Sequence, residues 1–248
     1  PIKGYLAFYR DRMDNWYEDD QQAFNHSLHR STGHVNPLTS WLLWEAWDAA
    51  NSNELVMRLV QQFNEMDAGL LHVNVVIPTL HPLLAARAYR WKRSVGKVEE
   101  FGATHETLSG KAFQNSPLIP VLEGNGGIRR RIGAQPEGQD FPIIEDLRKE
   151  GGTDYVALPM SFFDGQLKMI ALSTDRPEGF SVGILAQIHE ILPLLGRLFE
   201  VHAKQHTAKS LLQTFIGHHT GERVLNGSIK RGDGEDMRVD AGGIGQMH

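Results

Sequence analysis

Apolar residues change their period several times along this chain, and each change marks an element. Trp41, Leu42, Trp44 and Trp47 follow Asn36-Pro37 at helical spacing, with Thr39 or Ser40 as the expected N-cap. Leu55, Leu59, Val60 and Phe63 resume that spacing after the interruption at Asn51-Ser52-Asn53, so two helices, or one broken helix, lead the domain. Residues 70–77 are rich in β-branched side chains between Gly69 and Pro78, and residues 86–92 alternate through Arg87, Tyr89 and Trp91. The two read as an antiparallel pair. A short helix is expected over 107–113, an irregular stretch at Pro117 and Pro120, a strand over 128–132, and a short helix over 143–149 stopped by Gly151-Gly152. Residues 155–160 and 167–173 flank Asp164-Gly165, the strongest hairpin signal in the chain. Ser181 then caps a long closing helix. The pattern predicts an α+β fold, an antiparallel sheet flanked by helices with a long C-terminal helix. Residues 1–35 mix aromatics with acids and sustain no period.

The closing helix allows two readings. Ile184, Ile188, Ile191, Leu195 and Leu198 are spaced four and three apart, as in a heptad seam. They serve either a parallel dimer or packing on the chain's own sheet. The seam turns polar at His202 and Gln205 and returns at Leu212 and Ile216, so a stalk projecting beyond Val201 is expected. Continuous to Phe215, such a helix would be roughly 50 Å long at 1.5 Å per residue. Pro193 is the expected kink and Gly217 the expected stop.

Composition narrows the function classes. Hydrophobic residues make up 41% and charged residues 22%, ordinary globular usage. The net charge of -5 and the scattered basic residues give no footprint for a nucleic-acid backbone. The Arg129-Arg130-Arg131 run reads as charge that keeps an edge strand from pairing with other chains. With no cysteine, disulfides, thiolate metal sites and a cysteine nucleophile are excluded, and a reducing, cytoplasmic setting fits. No uninterrupted apolar run approaches the ~18–20 residues that cross a bilayer, and no signal-peptide layout opens the sequence, so no membrane partner is expected. Neither a Walker-type phosphate loop nor a Gly-x-Ser-x-Gly elbow is present. His202 and His206 lie one helical turn apart, yet no third ligand is evident, and no metal site is assigned. A small-molecule pocket is expected in the concavity between the sheet and the 107–113 helix, lined by Tyr89, Trp91, His105 and Phe113. His72 and His105 are either pocket-lining or structural.

Two stretches carry a family resemblance. Tyr155, Pro159, Phe162-Phe163-Asp164-Gly165, Ile170 and Ser173-Thr174, followed by Pro177-x-Gly179-Phe180, resemble the hairpin and turn of a GAF domain. That fold is a cytoplasmic small-molecule sensor related to PAS. Downstream, Ser210-Leu211-Leu212-Gln213-Thr214-Phe215-Ile216-Gly217, Thr220-Gly221-Glu222-Arg223-Val224-Leu225-Asn226-Gly227 and Ile229-Lys230-Arg231-Gly232-Asp233-Gly234-Glu235 resemble another family segment. It joins the N-terminal and catalytic domains of soluble, proteobacterial (notably rhizobial) class III adenylate cyclases.

This resemblance implies an unassigned extension at 1–36, a GAF-like sensor domain over 37–200 and a signalling helix with cyclase linker over 201–236. It also implies a truncated or non-native tail at 237–248. Thr220, Gly221, Glu222 and Arg223 would form a tight linker turn. Ile188, Ile191, Leu195, Leu198, Leu212 and Ile216 would form the dimer and signalling seam of a homodimer. The family's two Mg or Mn ions would sit in the missing catalytic domain; Asp240 follows no apolar strand and receives no metal role. The chain is thus expected to regulate cAMP formation from ATP, with no catalytic residue or cofactor of its own. A free-standing GAF-like binding protein and a small-molecule enzyme are the alternatives.

Overall fold

A computed structural model describes residues 36–79, 84–133, 138, 140–165, 167–225 and 227. Helix α1 spans Pro37–Trp44 and begins earlier than its pattern suggested. The Asn36 side chain accepts from the Leu38 N–H at 3.0 Å, and Pro37 occupies the first helical position, where a missing N–H costs nothing. Asn36 also donates to the Gln187 carbonyl and the Glu190 carboxylate, which anchors this helix to the closing one. After a single 3-10 turn at Ala46–Asp48, α2 spans Ser52–Glu65 and is capped by Asn51. Its Leu55, Leu59, Val60 and Phe63 face the core as expected.

Six strands form one antiparallel sheet: β1 (Leu70–Pro78), β2 (Ala86–Lys92), β3 (Val98–Ala103), β4 (Ile128–Arg131), β5 (Asp154–Ser161) and β6 (Leu167–Thr174). Their order is β3-β2-β1-β6-β5-β4. The central pair fixes the register, with Val75 opposite Tyr89 on one side and Ile170 on the other. Because side chains alternate along a strand, the sheet has two distinct apolar faces. Val73, Val75, Ile77, Tyr89, Trp91, Val156, Ile170 and Leu172 join the cluster made with α1, α2 and the closing helix. Val76, Ala86, Tyr155, Ala157, Met169 and Ala171 face a second, smaller cluster.

Short helices cover that second face: α3 (His105–Ser109), α4 (Lys111–Gln114), α5 (Leu118–Leu122) and α6 (Pro142–Lys149). The stretch at Pro117 and Pro120 is helical rather than irregular. Both prolines fall at the start of α5, where the N–H they lack would have no helical partner. Two of the three arginines of β4 do more than guard an edge. Arg129 and Arg131 reach the fully buried Asp154 carboxylate, at 2.6 Å and 3.3 Å. Asp154 also accepts from the Phe180 N–H at 3.0 Å, so this cluster clamps the β4–β5 edge to the turn before the closing helix. Arg130 instead stacks over the Phe141 ring.

Helix α7 spans Val182–Ile216 without a break at Pro193, capped by Ser181, whose hydroxyl accepts from Ile184 N–H at 3.1 Å. The expected fold class, an antiparallel sheet flanked by helices with a long C-terminal helix, is the one observed. The two readings of the heptad-like seam are separated here. Ile188, Ile191, Leu195 and Leu198 are buried in the chain's own core, because a helix lying on a sheet needs the same apolar stripe as a dimer seam. By length and composition an 18-residue window of α7 is apolar enough to cross a bilayer, contrary to the expectation from uninterrupted runs. In the fold 39% of that window is buried, and Ile188, Ile191, Leu195 and Leu198 of the same helix lie in the sheet-facing core. Helix α8, His218–Leu225, follows Gly217, whose φ of +81° ends α7. Thr220, Gly221, Glu222 and Arg223 therefore lie inside a helix and do not form the expected tight turn. Gly221 packs against Gln213 and Leu212 of α7; the absence of a side chain there lets the two backbones approach. The remainder of the 210–235 motif, the 1–35 stretch and the 237–248 tail lie outside the described residues.

Candidate functional site

Where α7 runs past the sheet, it does not project freely. From Glu200 to Leu211 it roofs a groove of about 360 Å³ at the end of β1, the start of β2 and the β5–β6 turn. The floor is apolar, with Ile77, Pro78, Tyr89 and Phe162; Ala203, Ala208 and Leu211 of α7 close it from above. Alternation explains the floor: positions 77, 89 and 162 belong to the face covered by α1, α2 and α7.

Charged groups collect at one end. Lys168 lies on β6 in the same alternation as Ile170 and Leu172, which turns its long side chain inward. That side chain is 2% exposed, and its ammonium lies 3.6 Å from the Asp164 carboxylate and 5.0 Å from the centre of the Phe162 ring. Burial pushes the Lys168 pKa down, against the opposing pull of Asp164 and Glu200. Glu200, buried on α7, accepts from the Phe163 N–H at 2.9 Å and pairs with Arg197 and Lys204, each at 2.8 Å. Burial raises its pKa, but Lys204, the Phe163 N–H and Arg197 together outweigh that and hold it at about 2. Arg87 pairs with Glu100 of β3 at the rim.

A second hollow adjoins the first and shares Tyr89, His206 and Ala208 with it. It is more polar, with Asn51, Ser52, Asn53, Glu100, His202 and Gln205, and Leu225 of α8 contributes to its edge. Tyr89 bonds Ser52, and burial raises its phenol pKa. Burial lowers the His202 pKa, with Glu54 opposing. Among the described residues no three His, Asp or Glu side chains converge as a metal centre requires.

The four residues expected to line one pocket do not share a site. Tyr89 and Trp91 lie on the α7 face, and of the two only Tyr89 borders the groove. His105 is exposed at the start of α3, whose Leu108 packs on the opposite face, and Phe113 follows in α4. Both hollows thus open on the α7 face of the sheet, whereas Val121, Ile144, Leu147 and Tyr155 belong to the cluster on the other face. His72 is structural: its ring nitrogen lies 2.6 Å from Glu150, which also pairs with Lys92. Leu212 is half-buried, whereas Ile216 is 42% exposed. Lys168 and Glu200 escaped sequence reasoning, although a lone lysine in phase with inward apolar residues of a strand is a legible sign of a buried charge.

No family model and no curated protein matches the chain. Several solved structures are similar to it. The GAF domain of a two-component sensor histidine kinase from Bacillus halodurans is 12% identical, with a TM-score of 0.43 over 61% of this chain and 95% of that one. The GAF domain/HD domain protein from Geobacter sulfurreducens is 12% identical, with a TM-score of 0.40 over 61% and 93%. The phycoerythrobilin-bound GAF domain from a cyanobacterial phytochrome is 11% identical, with a TM-score of 0.43 over 65% and 90%.

Proposed function

We propose that the chain is a small-molecule sensor module of the GAF type, placed ahead of a class III nucleotide cyclase and reading its signal in the groove under α7. One observation carries this reading: residues 200–211 of α7 form the groove's roof, and the same helix continues into the segment that resembles the cyclase linker. A ligand that fills the groove must therefore act on the position of α7 and of α8 packed against it. Allosteric control needs such an element, biased by the ligand and shared with the output. Leu211, Phe215 and Ile216, all exposed near the end of α7, support pairing of two copies there.

The chemistry of the class III reaction belongs to the partner domain. Two Mg or Mn ions would orient the nucleotide phosphates for attack by the ribose hydroxyl. None of the acidic side chains described here groups as a two-metal site requires, so no step of that reaction is assigned to this chain.

The test is a native mass spectrum of the chain purified from bacterial cytosol, beside the Ala208→Trp variant. Ala208 is exposed on α7 and borders both hollows, so tryptophan there fills the groove without disturbing the core. The expected result is a dimer with one retained small molecule per chain, lost in the variant, and no cAMP from ATP and manganese. A bare mass, or a bound mass unchanged by Ala208→Trp, overturns the groove as the ligand seat. Detectable cAMP overturns the assignment of catalysis to another domain.

A further inference from the structure

We infer that Asn125 is a site of spontaneous covalent modification, its side-chain amide closing on the Gly126 nitrogen to a succinimide that water opens to isoaspartate and aspartate. The chain contains two Asn-Gly pairs, Asn125-Gly126 and Asn226-Gly227. Glycine after asparagine obstructs this ring closure least, because it brings no Cβ near the attacking nitrogen and leaves the backbone free to turn. The fold separates the two pairs.

Three observations select Asn125. The first is access: residues 123–127 form the exposed connection between α5 and β4, so water reaches both members of the pair. The second is the state of the nucleophile. The Gly126 N–H meets no acceptor among the described residues, whereas the Gly227 N–H donates to the Val224 carbonyl at 3.1 Å. The nitrogen must shed its proton to attack; at Gly126 it does so in water, and at Gly227 it must first leave its acceptor. The third is freedom to bring the reacting atoms together. Gly124 and Gly126 hold φ values of +85° and +84°, and a Cβ added at Gly126 would meet nothing within 4 Å. The Asn125 side chain donates to the Glu123 carboxylate at 3.5 Å, the outer limit of a hydrogen bond. Asn51, by contrast, is tied down: its side-chain oxygen caps α2 by accepting from the Glu54 N–H at 3.0 Å.

The chemistry balances within the protein and water. The Gly126 nitrogen, its proton lost to solvent, bonds to the Asn125 side-chain carbonyl carbon; the bond from that carbon to the amide nitrogen breaks, and ammonia leaves. Water then adds to one of the two ring carbonyls and the carbon–nitrogen bond there breaks. Opening at the main-chain carbonyl gives isoaspartate, and opening at the side-chain carbonyl gives aspartate. Either product places a new carboxylate in the loop. Isoaspartate also routes the main chain through the side chain, lengthening it by one atom just ahead of β4, the strand whose Arg129 and Arg131 hold Asp154.

The test incubates the purified chain in warm, mildly alkaline buffer and follows its tryptic peptides by liquid chromatography and mass spectrometry. Residues 112–129 and 224–230 each leave as one peptide, so the two Asn-Gly pairs are read separately. Conversion raises a peptide's mass by about 1 Da and splits it into an isoaspartate and an aspartate form. Asn125 should convert at least about fivefold faster than Asn226, the factor that one hydrogen bond of ordinary net strength confers on a rate. It should also convert within about threefold of a synthetic peptide of residues 112–129, since the fold leaves its nucleophile in water. Asn125→Gln, which leaves the backbone untouched and enlarges the ring that must close, should keep the mass of the 112–129 peptide constant. Gly126→Ala should slow conversion at least about tenfold. Conversion of Asn226 as fast as Asn125, or an intact Asn125 where the free peptide converts, overturns the selection made by the fold. Conversion of Gly126→Ala at the native rate, or a mass gain in the Asn125→Gln peptide, overturns ring closure on Gly126.

Discussion

Asp154→Ala tests how the sheet edge is joined to α7. In the native protein the Asp154 carboxylate is fully buried and accepts from Arg129, Arg131 and the Phe180 N–H. The alanine variant does not strand the arginines: their side chains are 37% and 48% exposed and recover water. The Phe180 N–H cannot, because Phe180 itself is buried. An orphaned buried donor costs about 1–3 kcal/mol, and loss of the charge-assisted bonds, partly offset by hydration, adds about 1–2 kcal/mol. The sum, about 2–5 kcal/mol, overlaps the roughly 3–5 kcal/mol that removing one partner from a buried ion pair usually costs. It is a large share of a domain stability of about 5–15 kcal/mol. Urea unfolding followed by far-ultraviolet circular dichroism reads it as a fall in midpoint of about 1 M or more, with m of about 1–3 kcal/mol/M. Asp154→Asn keeps an acceptor oxygen for the Phe180 N–H and should lose about half as much. An alanine variant within about 1 kcal/mol of native would refute the clamp.

Gly179→Ala should damage the same cluster from the other side, because φ there is +68° and a methyl group would sit 2.5 Å from Asp154 Oδ2; a loss of about 2–4 kcal/mol in urea unfolding is expected. Glu200→Gln should cost about 1–2 kcal/mol at neutral pH. Since the native Glu200 pKa lies near 2 rather than 4.5, its stabilisation is complete above about pH 4.5 and lost towards pH 2. The gap between native and variant stability should therefore close over that window, and a constant gap would show that the ionised form is not what matters. Gly221→Leu should push α8 off α7, because even a Cβ would lie 3.2 Å from the Gln213 nitrogen; faster tryptic cleavage after Arg223 reads the release.

Much of the fold was legible because burial writes its period into sequence. The 155–173 hairpin, the Ser181 cap and the stop at Gly217 were expected and observed, each resting on local chemistry that needs no distant partner. The β3 strand was not anticipated. It lies on the sheet's edge, and Glu99, Glu100 and exposed Phe101 hide the alternation. The Ile188 to Leu198 seam was ambiguous in principle, since one apolar stripe suits a sheet or a sister helix equally well. The Asp154 clamp could not be read from Arg129 and Arg131, because sequence does not tell which distant carboxylate meets them. The groove shows the same limit. It joins pieces of β1, β2, the β5–β6 turn and α7, and its charges resemble ordinary surface residues until the fold buries Lys168 and Glu200. Tyr89 was expected to line a pocket against the 107–113 helix, but strand alternation turns it to the α7 face, whereas His105 and Phe113 belong to short helices on the other side of the sheet and do not border the groove.

Hydrogen exchange by mass spectrometry, with and without saturating N-phenyl-1-naphthylamine, puts the ligand seat to the most direct test. A ligand in the groove under α7 should slow exchange over residues 77–79, 87–89 and 200–211, and leave residues 105–122 unchanged. Protection confined to 105–122 would place the seat on the opposite face of the sheet and contradict the role given to α7.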